Sequence, residues 1–166
     1  METDNNYNSV QGGKKTCFKI CAVLFFIGAA LGPIITVIQG LRYSTSLAAS
    51  LINYGMGIWI GGLLTSAAAI FGAIHYKKWW SNDCDETRAK LPMIHMVMAL
   101  AAAVAAPLYF VLGNVCIPAR GDLPAGGCMG RDTFHIISAV DCIGNVIFNA
   151  IMIFVAKGFI ADGKSV

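Results

Sequence analysis

LPMIHMVMALAAAVAAPLYFVLG, residues 91–113, runs for 23 residues without one Asp, Glu, Lys or Arg. As a helix it would be about 34 Å long, enough to cross a hydrocarbon core of about 30 Å. A buried helix of a soluble domain keeps a polar face, and this stretch has almost none. Residues 20–40, 51–74 and 133–156 have the same character. None of the four contains Lys or Arg, and the only formal charge inside them is Asp141. Composition agrees: 57% of the 166 residues are hydrophobic, 13% are charged, and mean hydropathy is +0.66. Soluble domains carry about a quarter charged residues. A disordered chain and a basic nucleic-acid-binding domain are excluded, and a soluble globule is disfavoured. Ten-residue alternating segments are absent, which argues against a β-barrel. The expected fold is an all-α membrane protein, a bundle of four transmembrane helices.

Charge placement sets the expected orientation. Nine of the 12 Lys and Arg fall in the N-terminal segment 1–19 (Lys14, Lys15, Lys19), the connection 75–90 (Lys77, Lys78, Arg88, Lys90) and the tail 157–166 (Lys157, Lys164). The connections 41–50 and 114–132 hold only Arg42, Arg120 and Arg131. The positive-inside rule therefore puts both termini in the cytoplasm. Trp79 and Trp80, beside Lys77 and Lys78, suit the inner interface. A cleaved signal peptide is the rival reading of the first span, opposed by its length and its polar lead of 19 residues.

The connections are short. Residues 41–50 are too few for a domain, and 114–132 is turn-rich, with no room for an enzymatic ectodomain. Cys116 and Cys128 are the only cysteines on the expected outer side and read as a disulfide. Cys17 and Cys21, four apart at the cytoplasmic start of the first helix, suit S-palmitoylation and equally an unmodified pair. Cys84 reads as a reduced thiol and Cys142 as packing. No Asn-X-Ser/Thr acceptor occurs. Tyr7-Asn8-Ser9-Val10 has the shape of a tyrosine-based sorting signal, a pattern that arises readily by chance.

Helices in lipid associate through small residues and interhelical hydrogen bonds. The first span offers Gly28 and Gly32 at GxxxG spacing, with Pro33 expected to kink it. The second offers Gly57 and Gly61. The third is alanine-rich and expected to break at Pro107. The fourth spaces Ser138, Asp141, Asn145 and Asn149 by three and four, a polar stripe within the membrane. An ionisable residue at that depth is a functional-site candidate. The simpler reading, preferred here, is that Asp141 and the two Asn hydrogen-bond across helices. His75, His95 and His135 fall at expected membrane edges and read as interfacial. No nucleophile triad, metal-ligand spacing or nucleotide loop occurs, so no enzyme, metal or cofactor is expected.

Ile38-Gln39-Gly40-Leu41 closes the first span, and Tyr54-Gly55-Met56-Gly57-Ile58-Trp59-Ile60-Gly61-Gly62, followed by Ile70-Phe71-Gly72, builds the second. With short ends, a tiny first outer connection and a Cys pair in the second, these segments resemble the membrane-spanning four-domain subfamily A, the B-lymphocyte-antigen-like proteins. The resemblance covers mainly the first two spans and the Cys pair. It implies a plasma-membrane protein that forms homo- or hetero-oligomers and associates with receptors or channels. The expected function is a non-enzymatic lateral organiser or accessory subunit, a homo-oligomer or part of a larger complex in the bilayer. It oligomerises through small-residue helix faces and has no nucleic-acid partner. The alternative is a channel or transporter subunit with a polar path along the fourth helix.

Overall fold

A computed structural model describes residues 2–42, 56–111, 115–116, 128–129 and 133–163. Five helices and one short strand pair follow in order: α1 (Glu2–Arg42), α2 (Met56–Ser81), α3 (Asp85–Arg88), α4 (Leu91–Val111), β1 (Val115–Cys116), β2 (Cys128–Met129) and α5 (Thr133–Gly163). Most of the expected loop at 41–50, the start of the second span at 51–55, most of 114–132 and Lys164 lie outside the described residues. So do the side chains of Tyr7-Asn8-Ser9-Val10, Cys116, Cys128 and His135.

Among the described residues, four helices are long and apolar enough to cross a membrane: Gly12–Gln39, Gly57–Ser81, Asp85–Phe110 and Ile136–Ala161. Their outward faces carry bulky apolar side chains, with Leu100, Val140 and Phe154 60%, 62% and 74% exposed. Rows of such side chains would be costly in water and are at home among lipid tails. The break expected at Pro107 does not occur, since α4 continues to Val111. Proline costs one backbone hydrogen bond, and near a helix end in a bilayer neighbouring groups make good the loss. α1 likewise runs through Pro33.

Two ends of the bundle are distinguishable. The near end carries residues 82–90, the start of α1 and the end of α5; the far end carries the strand pair. In the near half all four long helices share an aromatic core, including Phe18 and Phe25 of α1, Tyr76 and Trp79 of α2, Ile94 of α4 and Phe159 of α5. Phe18 lies 5.5 Å from Phe159 and 6.2 Å from Trp79, centroid to centroid, and Phe25 lies 5.3 Å from Tyr76. Trp79 is therefore buried core, not an interfacial anchor as its sequence position suggests. Trp80 is exposed, with Lys19 Nζ 5.9 Å from its ring.

Among the described residues of the far half, a second core joins α2, α4 and α5 through Ile58, Ala102, Ala105, Tyr109, Ala139 and Cys142. There α1 follows α2, because glycines let the two backbones close up. A Cβ on Gly28 would lie 3.4 Å from Ala69, and one on Gly32 2.9 Å from Ser66 Oγ. Among the described residues, nothing of comparable extent joins α1 to α5. The result is a cleft between the first and last helices that closes toward the near end.

Candidate functional site

Two polar constellations lie within the bundle. In the near half, one hydrogen-bonded chain links three helices. The Tyr76 hydroxyl and His95 Nε2 are 2.7 Å apart, and His95 Nδ1 is 2.7 Å from Asn149 Oδ1. Asn149 Nδ2 donates to the Asn145 carbonyl at 2.8 Å, which fixes the orientation of the amide. Asn149 Oδ1 must then accept, so His95 carries its proton on Nδ1, and Nε2 accepts from Tyr76. Every polar atom in this layer is satisfied by a neutral imidazole. All three residues are buried. His95 is thus a core residue, not the interfacial one its sequence position suggests. Each member looks ordinary on its own helix, and only the fold brings the three together.

The second constellation lines the cleft. Its cavity measures about 310 Å³, and its polar walls come from Thr36 of α1, Thr65 and Ser66 of α2, Tyr109 of α4, and Ser138, Asp141 and Asn145 of α5. Toward the near end it adjoins a cavity of about 370 Å³ walled by Leu24, Phe25, Met98 and Phe148, with Asn149 at its margin. The polar stripe of the fourth span therefore divides. Asn149 makes the cross-helix bond expected of the whole stripe. Asn145 instead donates to the Asp141 carbonyl and carboxylate on its own helix, at 3.0 and 3.2 Å. Asp141 is exposed to the cleft, and Ser138 is half-buried in its wall.

Neither a family model, nor a curated protein, nor a solved structure matches the chain.

The glycines singled out in the sequence act inside the bundle. Gly28 and Gly32 face α2, and Gly61 faces α4, where a Cβ on it would stand 3.0 Å from the Tyr109 ring. Gly57 is buried at the start of α2. Cys21 is 2% exposed within the near core, and half-buried Cys17 has its Sγ 4.0 Å from Met152 Sδ. As placed, Cys21 offers no surface to an acyl chain. Cys142 is buried in the far core, as packing requires. Cys116 and Cys128 stand opposite each other in the β1–β2 register. Among the described residues, no three metal-ligating side chains come together.

A further cluster, missed in the sequence, closes the near end. Asp83 pairs with Lys15 Nζ of α1 and with Arg88 Nε, each at 2.6 Å, and accepts from Trp79 Nε1 of α2 at 3.0 Å. Arg88 also lies over the Phe159 ring of α5, 4.9 Å from its centroid. Burial raises the Asp83 carboxyl, but the hydrogen bonds from Arg88 and Lys15 outweigh it and hold the group down at about 2. The spacing of Trp79, Asp83 and Arg88 by four and five is the signal that could have found it.

Proposed function

We propose that the protein is a non-enzymatic four-span protein of the plasma membrane, with both termini cytoplasmic. It serves as a lateral organiser or accessory subunit that assembles with itself or with a larger membrane complex. The observation that carries this reading is Gly144. Among the described residues, a Cβ there would meet nothing within 4 Å, and the residue sits among exposed Val140, Ile143 and Ile147 on the outer face of α5. The glycines at GxxxG spacing are used inside the bundle, whereas this one leaves an open notch in a bulky apolar face. A neighbouring helix can approach closely there. The charge asymmetry and the likeness of the first two spans to the four-domain subfamily A point the same way. The opposed Cys116 and Cys128 support the disulfide on the outer side, since residues paired across antiparallel strands are about 4.5–5.5 Å apart at Cα, within disulfide range. The test is the mass of the gently extracted particle. Gly144→Leu should reduce the oligomer to a smaller species without lowering thermal stability; an unchanged mass would refute the role of this face.

The cavity beside Asp141 favours a second reading, a permeation path. The near half, filled by Phe18, Phe25, Tyr76, Trp79 and the His95 layer, closes that path within one bundle. Conduction would need several copies. Asp141→Asn should leave ion flux in proteoliposomes unchanged; altered flux through an intact oligomer would replace the organiser reading.

A further inference from the structure

The cleft between α1 and α5 differs from the rest of the interior in what its walls offer. Thr36 Oγ1 donates to the Gly32 carbonyl at 2.8 Å, and Thr65 Oγ1 to the Gly61 carbonyl at 3.0 Å. Both hydroxyl hydrogens are used, and the oxygens remain as acceptors. Asn145 directs its amide hydrogens at Asp141, at 3.0 and 3.2 Å, which leaves its own Oδ1 as a third acceptor. Asp141 Oδ1 receives no hydrogen bond among the described residues, and no Lys, Arg or His lines the cavity. A carboxylate at membrane depth is costly without a cationic partner. Ser66, Ser138 and Tyr109 also line the cavity with hydroxyls that can donate or accept. The selection for a positively charged donor therefore comes from Asp141, with the Thr36, Thr65 and Asn145 oxygens beside it. An ammonium has three donors and no acceptor.

The polar chamber does not stand alone. It shares Gly28, Ala69, Met98 and Asn145 with the apolar chamber beside Leu24, Phe25 and Phe148. Along α5, Asp141 to Phe148 spans about 10 Å. A bare alkali ion would leave the apolar chamber empty. We propose that the cleft binds a single-chain amphiphile with a protonated primary amine. The head rests on Asp141 and Asn145, and the chain runs toward Leu24 and Phe148. This goes beyond the organiser reading and does not rest on it.

The test uses the full chain in phosphatidylcholine nanodiscs at neutral pH, melted with and without dodecylamine. The expected result is a rise in melting temperature of several degrees for the wild type and for Asp141→Glu, and no rise for Asp141→Asn. Dodecanol and ammonium chloride should each fail to reproduce it. An equal shift with dodecanol would mean recognition of a hydroxyl head, and an equal shift with ammonium chloride a bare cation site; either overturns the proposal. So does a shift that survives in Asp141→Asn. A second measurement needs no variant: carbodiimide coupling of dodecylamine, followed by peptide mapping, should place an amide on Asp141. Coupling to exposed Glu86 with none at Asp141 would refute the site.

Discussion

Tyr76, His95 and Asn149 form the layer on which the near half depends. Tyr76→Phe removes one hydroxyl, keeps the ring against Phe25, and strands His95 Nε2 without its donor. Interhelical hydrogen bonds in membranes average about 0.6 kcal/mol and reach about 1.7. The layer is fully buried, so the upper part of that range is expected, read as a melting point lower by a few degrees. His95→Leu should cost more, because it strands both the Tyr76 hydroxyl and Asn149 Oδ1. A Tyr76→Phe protein as stable as the wild type would show that the bond carries no weight. At this scale the sequence is only partly legible. Asn149 reads as polar glue from its depth in an apolar run, because polarity in such a run is visible in one dimension. His95 reads as interfacial because its depth of one turn inside α4 fits an edge and a core equally. Which partner awaits it on α2 and α5 depends on how the helices turn about their axes, and this is not written in any single span.

Element by element, existence is easier to read than ends or roles. Lipid demands that every backbone group be satisfied within the span, so an uncharged run of about 20 residues is a strong helix signal. The ends escape that logic. α2 passes the expected limit at residue 74 to reach Ser81, and α5 passes residue 156 to reach Gly163. Lys77, Lys78 and Lys157 sit on those extensions, where a charged side chain leaves the membrane while its backbone stays helical. Glycine roles are half legible. GxxxG spacing picks out faces that pack, yet whether they pack within the molecule or beyond it depends on what stands opposite. Gly72 and Gly144 make the contrast measurable. A methyl on Gly72 would run into the Phe25 ring, whereas one on Gly144 meets open space. Gly72→Ala should therefore destabilise by about 1–3 kcal/mol, the usual cost of overpacking. Gly144→Ala should be neutral or stabilising by up to about 1 kcal/mol, since alanine is the better helix former. Equal effects of the two changes on the melting point would contradict this assignment of faces.

Across the whole molecule, the two ends are closed by different chemistry. The near end is held by Asp83, which gathers Lys15 of α1, Trp79 of α2 and Arg88 below α5. The far end has the strand pair and the proposed Cys116–Cys128 bond, whose loop can contribute on the order of 3 kcal/mol. Their pH and redox responses should differ accordingly. Folding holds the Asp83 carboxyl below its ordinary value of 3.8, at about 2, so its contribution is full above the ordinary value. That contribution fades as pH falls from about 5 toward 2. With screening at a partly exposed site it is on the order of 1 kcal/mol. Asp83→Asn should remove it, lowering the melting point at pH 7 and narrowing the gap to wild type at pH 3. Reduction of the far-end cysteines should lower the melting point by a pH-independent amount. α4 alone separates the two ends by about 30 Å, well beyond the distance at which perturbations couple directly. Combined in one protein, Asp83→Asn and reduction should then add to within about 0.5 kcal/mol. A combined loss much larger than the sum would mean that the α1–α5 cleft widens once both closures are gone, and that the open seam, rather than either end, limits the stability of the bundle.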